Sequence, residues 1–72
     1  MLVKVNGRTV EIFAGAKVED ALRRFSPAEW TKVRKGLRTV RDGRGNEVAL
    51  DGELSGGETL TIRHRPPKEP LT

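Results

Sequence analysis

The residues able to do chemistry in this chain are few, and their spacing argues against a reaction centre. His64 is the single histidine and there is no cysteine. A lone His with no Ser or Cys partner in a recognised arrangement makes no catalytic triad. Its alternation with Leu60 and Ile62 places it at the edge of a core. Absence of Cys removes disulfides, thiolate metal sites, iron–sulfur ligation and thiol catalysis together. Asp42, Glu47, Asp51 and Glu53 offer oxygen ligands, but not at calcium-loop positions, since Arg44 falls where a ligand should be. They read as solvated turn acids. Gly43-Arg44-Gly45-Asn46 lacks the spacing of a phosphate loop, the Lys-Ser or Lys-Thr that follows one, and a helix behind it. With Val40 and Val48 on either side it reads as a hairpin turn. No catalytic, cofactor or metal set is expected.

Binding is the chemistry that remains. Fourteen Lys and Arg face ten Asp and Glu, for a net charge of +4. The basic residues concentrate in Arg23, Arg24, Lys32, Arg34, Lys35, Arg38, Arg41 and Arg44. From Asn46 to Thr61 there are four acids and no base. Such a polarised surface speaks to partners rather than to fold. A positive face could meet an acidic protein or nucleic acid. Against nucleic acid, Phe13, Phe25 and Trp30 are all expected near the core, which leaves no aromatic platform for bases. Leu2 shares its parity with Phe13 and could form an exposed apolar spot. The expected partner-binding residues are therefore Arg34, Lys35, Arg38 and Arg41 on a basic edge, with Leu2 and Lys4 on a sheet face.

Those residues need elements to position them. Asn6-Gly7 between alternating apolar residues is the strongest short-range hairpin signal. A two-residue loop sets Val5 opposite Arg8, Val3 opposite Val10 and Met1 opposite Ile12. Met1, Val3, Val5, Val10 and Ile12 then share an apolar face, and Lys4, Thr9 and Glu11 share the other. Val18, Ala21, Leu22 and Phe25 recur at the spacing of an amphipathic helix, expected from about Lys17 to Arg24. Ser26-Pro27-Ala28-Glu29 carries the residues of a capping box and starts a second short helix, about Pro27 to Lys35, with Gly36 as its C-terminal cap. Trp30 should plug the gap between this segment and the sheet. Thr39-Val40-Arg41 reads as a third strand, Glu47-Val48-Ala49-Leu50 as a fourth, and Glu58 to Arg63 or His64 as the last. Three prolines in the last seven residues cannot extend a ladder, so 65–72 is expected to be a disordered or extended tail after a domain of residues 1–64. No run approaches the ~18–20 apolar residues of a membrane span. A soluble, cytoplasmic monomer is the expectation.

Strand, strand, broken helix, strand, strand, strand describes an α+β domain with helices on one side of the sheet. The first and last strands would lie parallel at its centre. The chain resembles the ubiquitin-like β-grasp superfamily, and within it the small sulfur carriers of thiamin and molybdopterin synthesis, the ThiS/MoaD type. The resemblance rests on Val3-Lys4-Val5-Asn6-Gly7-Arg8, on Val18-Glu19-Asp20-Ala21-Leu22, and on the stretch from Asp51 to Ile62. It implies a mixed sheet of four or five strands with one broken helix packed on one face. Sulfur carriers and modifiers end in Gly-Gly, whose carboxylate is activated by adenylation. This chain ends Pro70-Leu71-Thr72, and its Gly-Gly, Gly56-Gly57, precedes the last strand. The resemblance thus implies a non-catalytic protein-interaction module. The alternatives are a basic nucleic-acid-binding accessory domain and, after it, a divergent sulfur carrier or protein modifier.

Overall fold

The computed structural model describes residues 1–64. The tail expected over 65–72 lies outside the described residues. The elements in order are β1 (Leu2–Val5), β2 (Arg8–Glu11), α1 (Val18–Phe25), α2 (Pro27–Arg34), β3 (Arg38–Arg41) and β4 (Thr59–His64). They form one sheet in the order β2-β1-β4-β3. β1 and β4 are parallel neighbours at its centre, and both outer pairs are antiparallel.

The hairpin adopts the expected register, with Val3 opposite Val10 and Val5 opposite Arg8. Asn6 and Gly7 both have positive φ, 53° and 81°, as a two-residue turn matched to strand twist requires. Asn6 has a second function. Its Oδ1 accepts the Ile62 N–H at 2.8 Å, which ties the turn to β4.

α1 buries Val18, Ala21 and Leu22 against the sheet. It is capped by Asp20, whose carboxylate accepts the Lys17 N–H at 2.8 Å. Ser26 ends one helix and starts the next. Its N–H donates to the Leu22 carbonyl at 2.8 Å, and its Oγ accepts from Glu29 N–H at 3.3 Å. The capping box expected here closes on one side only, because α1 has already taken the Ser26 N–H. Glu29 instead reaches Lys32 at 3.5 Å and Arg38 at 3.4 Å. After the Lys35 cap of α2 comes Gly36, φ 83°, with Leu37 N–H on the Lys32 carbonyl and Gly36 N–H on that of Val33. This is the Schellman pattern of a left-handed C-terminal glycine.

The strand expected over Glu47–Leu50 is not formed. Glu47 makes one isolated bridge to Arg41, and Val48 N–H reaches the Val40 carbonyl at 2.9 Å. The chain then leaves the sheet for α1. The Leu50 carbonyl accepts the Glu19 N–H at 3.0 Å, and the Gly52 carbonyl accepts the Val18 N–H at 2.9 Å. These are N-terminal helix donors that lack partners within the helix, and satisfying them competes with extending a ladder.

The core is Val3, Val5, Val10, Ile12, Ala16, Val18, Ala21, Leu22, Val40, Leu54 and Leu60. Met1, Phe25, Trp30, Val33, Val48, Leu50 and Ile62 pack against it half-buried. Phe13 takes the exposed one of its two expected placements, and His64 departs from the core edge expected for it. Phe13 is 63% exposed, because the chain turns away after β2 with Ala16 N–H on the Phe13 carbonyl. His64 is exposed at the end of β4. Among the described residues no helix is long and apolar enough to cross a membrane.

Candidate functional site

The helices cover one face of the sheet, and the strand registers assign the residues of the other. Leu2 opposes Glu11 and Lys4 opposes Thr9 across the hairpin. Lys4 is level with Thr59 of β4, and Thr61 of β4 opposes Arg41 of β3. Strand alternation puts Leu2, Lys4, Thr9, Glu11, Thr59, Thr61, Arg63 and Arg41 on the side away from the helices. Leu2 is 53% exposed there. A depression of about 280 Å³ is lined by Leu2, Val3, Lys4, Thr9, Gly57 and Thr59. A second, of about 460 Å³, shares Gly57 and Thr59 with it and extends to Asp42, Gly43, Arg44 and Glu58.

Of the six residues expected to bind a partner, Leu2, Lys4 and Arg41 share this face. Arg41 is partly engaged, since its guanidinium donates to the Gly45 carbonyl at 2.8 Å. Arg38 points to the helix side, where it meets Glu29 at 3.4 Å and His64 Nδ1 at 2.6 Å. A guanidinium only donates, so His64 Nδ1 must be the acceptor in that contact. Arg34 lies on α2 with its guanidinium 5.1 Å from the centre of the Trp30 ring, and Arg23 of α1 is 5.3 Å from the same ring. Lys35 is exposed at the C-terminal cap of α2. The basic residues that are near in sequence are therefore distributed over both sides of the sheet. Thr59, Thr61 and Arg63 join the face from β4. Their alternation with Leu60 and Ile62 is the signal that reveals them.

The rim of this face is held by the Gly56-Gly57 turn. Both glycines have positive φ, 106° and 84°, where a side chain would be strained. Gly57 N–H reaches the Leu2 carbonyl at 2.7 Å. The Glu58 carboxylate accepts Ser55 N–H and Gly56 N–H, both at 2.7 Å. Those bonds stabilise its charged form and hold its pKa below the ordinary glutamate value, the Ser55 bond foremost. The same cause acts on Asp42, whose carboxylate accepts Asn46 and Arg44 N–H and is likewise lowered. The diglycine is thus a structural turn that seats β4 beside β1.

No protein-family model matches the sequence, and no curated protein matches it. Among solved structures, the crystal structure of SAMP1 from Haloferax volcanii superposes with a TM-score of 0.63. The superposition covers 96% of this chain and 98% of that one. The fold is the ubiquitin-like β-grasp. At 23% identity the likeness establishes architecture. The composition of the open face belongs to this sequence.

Proposed function

We propose that this ubiquitin-like domain is a non-catalytic protein-interaction module that docks through its open sheet face. One observation carries the reading. Leu2 is half-exposed beside Lys4 on the face opposite the helices, with Arg41 and Arg63 further along the same face. An apolar anchor with Lys4 beside it, Glu11 opposite it and threonine hydroxyls and two further cations along the face matches a partner surface with an apolar centre and a mostly acidic rim. A rigid four-stranded platform also costs little ordering entropy on binding.

A photo-crosslinking amino acid at Lys4 or Thr59 tests this against the same probe at Ala28, exposed on α2. Discrete protein adducts are expected from the first two positions in cells, and they should fall several-fold when Leu2→Asp is added. Equal adducts from Ala28 would refute the face assignment. Retention on nucleic acid with a steep log–log salt slope would favour the nucleic-acid alternative instead.

A further inference from the structure

The two depressions of the open face run into one another. Leu2 and Lys4 line the first, Gly43 and Arg44 the second, and Gly57 and Thr59 line both. The strand registers explain the continuity. Gly57 N–H meets the Leu2 carbonyl, and Thr59 is level with Lys4. Thr61 opposes Arg41, which sets Thr59 level with Gly43. A Cβ at Gly43 would accordingly lie 3.9 Å from that of Thr59. The joined depressions form a trough that crosses β1, β4 and the turn after β3 at right angles to the strands. Neighbouring strands are about 4.8 Å apart, so Leu2 and the Gly43-Arg44 turn are separated by about 10 Å.

The trough changes character along its length. Leu2 supplies an apolar contact at one end. In the middle, Gly57 has φ 84° and no heavy atom within 4 Å of where a Cβ would stand. A bare glycine lets another backbone come close. An extended chain can use that gap, whereas the backbone of a helix is sheathed in side chains. At the far end the Arg44 guanidinium makes no hydrogen bond or ion pair to another described residue, and its charge acts on Asp42 only through space. The acids nearby are turned to their own turns. Both Glu58 oxygens hold the Ser55 and Gly56 N–H groups, and Asp42 Oδ1 holds those of Arg44 and Asn46. The unpaired charges along the trough are thus the cations Lys4 and Arg44.

We propose that the partner of the open face crosses it as an extended segment lying in this trough, with an apolar side chain on Leu2, its backbone over Gly57 and a carboxylate on Arg44. This binding mode rests on the open-face reading and adds to it a direction of crossing and a second anchor, Arg44. A polyproline-type segment presents side chains three residues apart on one side, about 9 Å from one another. That spacing matches the span from Leu2 to the Arg44 turn.

The probe is the peptide acetyl-Ser-Leu-Pro-Pro-Glu-Ser-amide, titrated into isotope-labelled protein and followed by amide NMR shifts. Shifts are expected at Leu2, Lys4, Gly57, Thr59 and Arg44, saturating in the millimolar range. Arg44→Glu, or Gln in place of the peptide's Glu, should weaken binding about fivefold. Gly57→Asn, a residue that tolerates positive φ, fills the trough and should weaken binding at least about tenfold. Gly45→Asn is the control, since Gly45 has φ 86° and open space around it outside the trough, and it should leave binding unchanged. The Gln peptide makes the charge test on the unaltered protein should a variant misfold. Equal binding of the Gln and Glu peptides overturns the proposal. So do shifts centred away from the trough, no shifts at millimolar peptide, or a concentration-dependent dimer that Gly57→Asn abolishes. The same variants in the crosslinking experiment separate the two readings. If Leu2→Asp removes the adducts while Arg44→Glu and Gly57→Asn preserve them, the open face stands and the trough falls. If Leu2→Asp preserves them as well, both fall.

Discussion

Glu58→Ala removes the acceptor that holds the Gly56-Gly57 turn, and its effect can be worked through from the structure. Two backbone N–H groups, of Ser55 and Gly56, donate to this carboxylate at 2.7 Å. Hydrogen bonds to a charged group contribute about 1.5–3 kcal/mol when well buried. Here water can replace much of each bond, so the two together should contribute about 1–2 kcal/mol. The turn also delivers Gly57 N–H to the Leu2 carbonyl and the Glu58 carbonyl to Lys4 N–H, so loosening it frays the entry of β4 beside β1. A domain of this size has a total stability of about 4–11 kcal/mol. The expected fall in Tm is then about 4–16 °C. The folded pKa of Glu58 is lowered from an ordinary 4.5. Its contribution is therefore complete above that value and is lost as the pH falls through the lower folded pKa. Urea melts of both proteins from neutral pH downward measure the difference. It should be largest at pH 7 and shrink below about 4.5. A difference that stays constant into acid, or one under about 0.5 kcal/mol at pH 7, would refute the carboxylate clasp.

Leu22→Ala empties a position that is fully buried beneath the sheet, and should cost about 2–5 kcal/mol, enough to unfold much of the domain at 37 °C by circular dichroism. Gly7→Val forces a β-branched residue into φ 81°. It should cost about 1–2 kcal/mol, read as a lowered urea midpoint with an unchanged m-value. α2 has no fully buried residue, whereas α1 has three. Amide hydrogen exchange should accordingly be faster at Trp30 to Arg34 than at Ala21 to Phe25, and equal protection in the two helices would contradict this.

The hairpin, the stripe of α1 and the alternation of β4 were legible because each is a local pattern with one dominant period. Asn6-Gly7 sets register, and Val3, Val5 and Val10 follow it inward. What escaped depends on competition between distant groups. Glu47–Leu50 has strand-like alternation, yet the carbonyls of Leu50 and Gly52 are drawn to the open end of α1. Ser26 and Glu29 have the spacing of a capping box, but the Ser26 N–H already belongs to Leu22. Ala16 and Leu54 sit in segments rich in small and turn residues, and both are buried. They are joined by the Leu54 N–H on the Ala16 carbonyl at 3.0 Å, a pairing no local window contains. At the candidate site, Leu2 and Lys4 could be placed by parity alone. The division of Arg34, Arg38 and Arg41 between helix and sheet faces required the register of β3 against β4.

That division bears on the kind of partner more than the net charge does. A duplex or single strand is bound through many phosphate contacts along a track of available cations. Here Arg23 and Arg34 lie against Trp30, whose buried Nε1 has no partner among the described residues. Arg38 is held between Glu29 and His64, and Arg41 by the Gly45 carbonyl. Guanidinium groups so engaged would have to leave packing or hydrogen bonds before meeting phosphate. The cations without side-chain partners among the described residues include Lys4 and Arg63 on the open face and Arg24 at the β2 edge. Lys4 lies beside the exposed Leu2 and Arg24 beside the exposed Phe13. One or two charges around an apolar anchor is an arrangement suited to protein surfaces, where apolar burial supplies affinity and charge supplies orientation. The placement of these groups is the ground on which we propose a protein partner even though the composition is basic.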